Sequence, residues 1–218
     1  MLLLVRHGQA SWGEADYDRL SSLGEEQSAA LGAALTARGV RPGLVVRGAM
    51  LRHRQTTDAA VSGGGWATEV VEDAGWDEFD HRQMLERHPS GVGEGEELTG
   101  AAFQRWFEEA TRRWTSGHFD EYDESFADFG SRVDAALRRT VDRLAPGRTA
   151  VVVTSGGPVS WVAATLLGAG AEVWGRLNPV TVNSSVTKVV VGRRGATLVS
   201  FNDHSHLEGD GSPLLSYR

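Results

Sequence analysis

Thr149–Thr154 is the segment that most narrows the possible folds. Its residues, Thr-Ala-Val-Val-Val-Thr, are mostly β-branched and carry no charge, the make-up of a strand buried on both faces. The run stops at Ser155-Gly156-Gly157, and Pro158 follows where the first turn of a helix tolerates proline. A doubly buried strand that feeds straight into a helix is the unit of a parallel sheet covered by helices. Further short apolar runs read as strands: Leu2–Arg6, ending at His7-Gly8, then Leu44–Arg47 and Thr68–Val71. Helices are expected over Leu23–Arg38, closed by Gly39, over Arg52–Val61, and from Ser125 to Leu144 ahead of Pro146-Gly147. Val186–Val191 and Ala196–Phe201 flank Gly192–Gly195 and read as a hairpin. The predicted fold class is α/β, a three-layer α/β/α sandwich with a mostly parallel central sheet.

His81–Gly130 has a different character. It holds eleven Asp/Glu against five Arg, with no lysine, and includes the glycine-rich piece Gly91–Gly95. Phe103, Trp106, Phe107, Ala110 and Trp114 recur at helical spacing, a stripe best read as core packing. With no linker on either side, the segment is expected to be a helical cap inserted at about residues 81–130 into a single domain spanning 1–218.

Composition removes several function classes. A formal charge of −7 argues against a nucleic-acid partner. The absence of cysteine excludes a disulfide framework, a thiolate nucleophile and a Cys-ligated zinc. The longest nearly apolar stretch, Trp161–Ala171, falls short of the roughly 20 residues a bilayer span needs. The opening Met1–Val5 meets Arg6 without a basic lead or a cleavage site, so a cytoplasmic protein with no membrane partner is expected.

In open α/β sheets, ligands bind beyond the carboxyl ends of the strands. Three such ends carry suggestive residues: Arg6-His7-Gly8, Arg52 shortly after the second strand, and Ser155-Gly156-Gly157. The last also opens a helix, whose free N–H groups and dipole favour an anion. Two arginines, a histidine, glycines and a helix start are the parts of a phosphate pocket.

Five segments in chain order carry a resemblance. They are Leu4-Val5-Arg6-His7-Gly8-Gln9-Ala10, Leu20–Ser28, Leu51-Arg52-His53-Arg54-Gln55-Thr56-Thr57, Val152–Pro158, and Phe201-Asn202-Asp203-His204-Ser205-His206-Leu207. Together the chain resembles the histidine phosphatase superfamily, the group that includes the cofactor-dependent phosphoglycerate mutases. The resemblance implies that His7 is the nucleophile and carries a phosphohistidine, attacking as the neutral ring with its other nitrogen held by a hydrogen bond. It implies that Arg6 and Arg52 clamp the non-bridging oxygens, with Ser155 and Gly156 completing the phosphate site. The family's general acid falls in Gly75-Trp76-Asp77-Glu78-Phe79-Asp80, where Glu78 is the expected proton donor and Asp77 and Asp80 are neighbours able to raise its pKa.

Ser155 is the main departure, because the family places a second active-site histidine there. That histidine donates to a phosphoryl oxygen and adds positive charge, whereas a serine hydroxyl is a shorter, neutral donor. His204, His206 and Arg54 are the neighbours considered as compensation, with His206 more readily structural. Gly13 and Gly48 stand where the family has an asparagine and a serine, which reads as a loss of polar contacts. His204 and His206 lack a carboxylate or third-histidine partner at usual spacing, so no metal and no cofactor are expected. The expected function is a metal-independent phosphomonoesterase acting on a small phosphorylated metabolite or a phosphoprotein. The alternatives are a catalytically silent phosphate sensor and a phosphoglycerate mutase-like phosphotransferase. The sequence leaves the substrate and oligomeric state open.

Overall fold

A computed structural model describes residues 1–11, 18–89, 100–209 and 214–217 of the chain. The readings of Gly13 and Gly91–Gly95 fall outside the described residues. The apolar runs line up as one sheet in the order β3-β2-β4-β1-β5-β6. These strands are β1 (Leu2–Arg6), β2 (Leu44–Arg47), β3 (Val70–Glu72), β4 (Ala150–Thr154), β5 (Val186–Gly192) and β6 (Gly195–Asp203). β4 lies at the centre, parallel to β1 on one side and β2 on the other, with Leu2 opposite Ala150 and Leu44 opposite Ala150. β3 continues the parallel set, while β5 runs antiparallel to β1 and β6 returns as the hairpin partner of β5.

The described residues also form seven α-helices: α1 (Ser22–Ala37), α2 (Leu51–Gly64), α3 (His81–Glu86), α4 (Gly100–Thr115), α5 (Phe126–Arg143), α6 (Gly156–Leu166) and α7 (Ala171–Leu177). Alternation along the strands sends Leu3, Val5, Val45, Val151 and Val153 to one face, where they pack with Leu31 and Leu35 of α1 and Ala60 of α2. Leu2, Leu4 and Val152 point the other way and are equally buried, and α6 packs against β1 and β6. The α/β class and the mostly parallel sheet agree with the sequence reading.

Some boundaries differ. The third strand lies later than Thr68–Val71, at Val70–Glu72, on an exposed sheet edge where its valines gain little from burial. α3 and α7 were not anticipated, being too short to display a period. α3 starts because the Asp80 carboxylate accepts from the Arg82 and Gln83 amides.

The chain divides into two compact units, Met1–Glu78 with Val133–Arg218, and Phe79–Arg132. Within the second unit an aromatic cluster forms the core: Phe79 stacks on Trp114 at 4.7 Å between ring centroids, and Phe126 and Phe129 pack against the same indole. The Trp114 indole N–H donates to the Glu124 carbonyl at 2.9 Å.

Gly8 is set by close approach. A Cβ there would lie 2.3 Å from the Gly24 carbonyl oxygen, and one on Gly24 would lie 2.2 Å from the Gln9 carbonyl oxygen. The turn after β1 therefore rests directly on the first turn of α1. Gly8→Ala is expected to destabilise the protein by about 1–3 kcal/mol, because the obstructing atom is backbone. A denaturant midpoint within error of wild type would contradict this.

Candidate active site

His7 leaves the end of β1 pinned on several sides. Its N–H donates to the Thr154 carbonyl at 2.8 Å, and its own carbonyl accepts from the Ser184 N–H and the Asn183 side-chain amide. The Gly8 N–H donates to Thr56 Oγ1 at 3.0 Å, which ties the turn to α2. The His7 ring is buried, with Nδ1 2.7 Å from the Gly8 carbonyl oxygen. A carbonyl only accepts, so Nδ1 carries the hydrogen and Nε2 keeps its lone pair. Arg52 Nε donates to that Nε2 at 3.2 Å. Burial foremost, then Arg52, Arg6 and His53, hold the His7 pKa well below its ordinary value, so the ring is neutral.

Arg52 lies in the first turn of α2, almost fully buried, and its Nη1 donates to Asp18 Oδ1 at 2.6 Å. Asp18 Oδ2 also accepts from the Leu51 N–H at 2.7 Å, so this carboxylate positions both the helix start and the guanidinium. Arg6 Nη1 donates to the carbonyls of Thr181 and Tyr217. Glu78 accepts from the Gly157 N–H at 3.2 Å, which sets its carboxylate at the start of α6. Asp77 Oδ1 accepts from the Ala49 N–H at 2.7 Å, and Asp80 caps α3.

Ser155, fully buried, is the N-cap residue of α6, yet its hydroxyl does not cap that helix. Its Oγ lies 2.8 Å from His53 Nε2. His53 is fully buried, its Nδ1 stands 3.5 Å from Asp77 Oδ1, and its ring centroid lies 5.7 Å from that of His7. The neighbour that meets Ser155 is thus His53, not His204, His206 or Arg54. Arg54 is exposed, while His204 bonds to Asn202 and Glu208. Gly48 also needs a corrected reading. A Cβ there would fall 2.2 Å from His53 Nδ1 and 2.5 Å from Asp77 Oδ1, so the glycine makes room for the pair. A sequence signal existed: a histidine directly after the motif arginine, together with small residues at 48 and 155. Asp18 had no motif to announce it.

Among the described residues, three histidines have lowered pKa values: the buried His7 and His53, and the half-buried His206, which desolvation pushes down to about 4. The unfolded chain binds the protons these rings exclude, so their contribution is full above the ordinary value of 6.5 and is lost as pH falls below it. The expected slope is up to about 1.4 kcal/mol per pH unit for each ring. For His206 the window closes near 4, and His206→Asn should flatten the decline between 6.5 and 4 in denaturant titrations. An unchanged slope would remove His206 from this account.

Among the described residues, no three or more His, Asp or Glu side chains gather as a metal site. No helix among them is long and apolar enough to cross a membrane. The family model described as histidine phosphatase superfamily (branch 1) matches residues 2–204. No curated protein matches the sequence. Among solved structures, the chain is similar to Bacillus stearothermophilus YhfR, with a TM-score of 0.72 and 23% identity over 95% of this chain and 98% of that one. It is similar to a phosphoserine phosphatase variant from Entamoeba histolytica bound to phosphoserine, with a TM-score of 0.66 and 21% identity over 95% and 98% of the two chains. A mycobacterial glucosyl-3-phosphoglycerate phosphatase with vanadate gives a TM-score of 0.65 and 23% identity over 92% and 98%.

Proposed function

This chain belongs to the histidine phosphatase superfamily (branch 1), and from that premise we propose that it hydrolyses phosphomonoesters, without a metal, through a phosphohistidine on Nε2 of His7. Membership itself supports phosphoryl-transfer chemistry of phosphatase or mutase type. The observation that carries the finer reading is the state of one ring: His7 is neutral, its Nδ1–H is committed to the Gly8 carbonyl, and its Nε2 lone pair faces Arg52.

In the first step the Nε2 lone pair forms the P–N bond while the P–O bond to the leaving group breaks. Glu78, as the acid, delivers its proton to the departing oxygen. Arg52 moves off the ring onto non-bridging oxygens, joined by Arg6 and the Gly156 amide at the start of α6, where charge persists throughout transfer. In the second step the Glu78 carboxylate takes a proton from water, the water oxygen attacks phosphorus, and the P–N electrons return to Nε2. The products are the alcohol and inorganic phosphate.

Hydrolysis is favoured over mutase activity by two of the six arginines of the Phe79–Arg132 unit, which we read as the cap. Arg113 pairs with Glu121 and Arg132 with Glu124, so these cations are already neutralised rather than held for a second phosphate. A small phosphorylated metabolite is the substrate class proposed. The similar structures bear names of phosphatases for phosphoserine and glucosyl-3-phosphoglycerate. The test is turnover of nitrophenyl phosphate and phosphoserine in EDTA, with a quenched reaction on labelled substrate. The expected result is metal-independent release of phosphate and an acid-labile, base-stable label on the peptide that contains His7. A label on another side chain, or phosphate moved within phosphoglycerate rather than released, would overturn it.

A further inference from the structure

Buried Ser155 and His53, with the partly exposed Asp77, form a chain that the phosphatase reading leaves without a task. Ser155 Oγ is hydrogen-bonded to His53 Nε2 at 2.8 Å, and Asp77 Oδ1 faces His53 Nδ1 at 3.5 Å, an ion-pair approach rather than a hydrogen bond. The arrangement is anchored from outside. Asp77 Oδ1 accepts from the Ala49 N–H at 2.7 Å and so fixes the start of α2, the helix that carries both Arg52 and His53. Gly48 leaves the space that the pair fills. The chain ends at the N-cap of α6, beside the Gly156 amide, and His53 lies one ring away from His7.

Hydrogen-bond direction decides what Ser155 offers. With His53 neutral and its Nδ1–H turned to Asp77, Nε2 only accepts, so Ser155 donates to it and turns lone pairs toward any anion. With His53 protonated, Nε2–H donates to Ser155 Oγ, and the hydroxyl hydrogen is free for an anion oxygen. Of the charged groups facing His53, Arg52 opposes its charge while Asp77 and Asp18 favour it, and the neighbouring His7 ring is neutral. Burial tips the unliganded protein to the neutral ring. A phosphoryl dianion adds negative charge and reverses the balance.

We infer that His53 is a positioning residue of the phosphoryl site: with the Asp77 carboxylate facing it, it takes one proton from solvent when the anion binds and turns Ser155 into a donor to that anion. This rests on the phosphatase reading of the same site and supplies what a lone serine at 155 lacks.

The experiment combines kinetics with calorimetry. His53→Gln and His53→Ala are expected to lower kcat by about 10²-fold, the cost of one transition-state donor. Adding Ser155→His to the His53→Ala chain, where the removed ring leaves space, should recover at least about tenfold of that loss. Binding of sulfate, whose own charge is fixed near neutrality, measured in buffers of different ionisation enthalpy, should show proton uptake that falls in His53→Gln. Should the relocated pair not fold, a double-mutant cycle replaces it. Ser155→Ala and His53→Gln should then be non-additive, because they break the same hydrogen bond. Turnover within about threefold of wild type in either single variant, unchanged proton uptake, or additive losses would each overturn the inference. His7→Ala run in parallel separates the two ideas. Activity surviving there removes the phosphohistidine, whereas activity lost there and kept in the His53 variants removes only the role of His53.

Discussion

His7→Ala is expected to lower turnover of an aryl phosphate by about 10⁴–10⁶-fold, because the atom proposed to bond to phosphorus is gone and only binding and the proposed guanidinium clamp remain. His7→Asn is the sharper variant. Its side-chain amide can keep the donor to the Gly8 carbonyl, a bond that His7 makes at 2.7 Å, while offering nothing in place of Nε2. If the ring served only to shape the turn after β1, asparagine would preserve activity and alanine would not. If Nε2 is the nucleophile, both are equally inactive while both stay folded. The electrostatics add a second expectation for the wild type. Burial, Arg52, Arg6 and His53 all lower the His7 pKa, so the ring stays unprotonated as pH falls through 6.5. The acid limb of kcat/KM should therefore lie below the range of an ordinary histidine. A limb centred at 6.5 would mean that solvent reaches the ring, or that a different group attacks.

How the chain announces these features follows from how each is encoded. Strands buried on both faces advertise themselves as uncharged β-branched runs, so β1, β2 and β4 are plain in the sequence, and with them the strand ends that carry His7, Arg52 and Ser155. β3 at the sheet edge is half solvated and therefore faint. α3 depends on a single capping aspartate, which no periodicity reveals. The residues proposed for the phosphate site belong to local motifs of contiguous residues and stand out one by one. What motifs hide is replacement across distance. Ser155 alone reads as a lost histidine, and Gly48 alone as a lost serine. The structure brings both against His53, a residue from a third segment, and the two apparent losses become the space that one buried imidazole occupies. Asp18 is similar: its partners, Arg52 and the Leu51 amide, are separated from it by more than thirty residues. For the same reason Ser155→His by itself is expected to reduce activity, since the new ring would meet His53 where Ser155 Oγ now stands at 2.8 Å.

Glu78→Gln carries the second large effect, and its size should depend on the leaving group. For an alkyl phosphate such as phosphoserine, the departing alkoxide is strongly basic and needs a proton as the P–O bond breaks. Removing the acid is expected to cost about 10²–10⁴-fold in kcat/KM. Nitrophenolate leaves readily without a proton, so the same substitution should cost far less in the phosphorylation step. Its deficit should appear instead in dephosphorylation, where the carboxylate activates water, and phosphohistidine should accumulate. Glutamine keeps an oxygen that can accept from the Gly157 N–H, now bonded to Glu78 at 3.2 Å, so the start of α6 should be undisturbed. Asp77→Asn offers the contrast. Asp77 accepts from the Ala49 N–H and faces His53, so its loss should lower turnover of both substrates to a similar degree. Equal losses on the two substrates for Glu78→Gln, with no phosphoenzyme building up, would show that this carboxylate only holds the Gly157 amide and that another group delivers the proton.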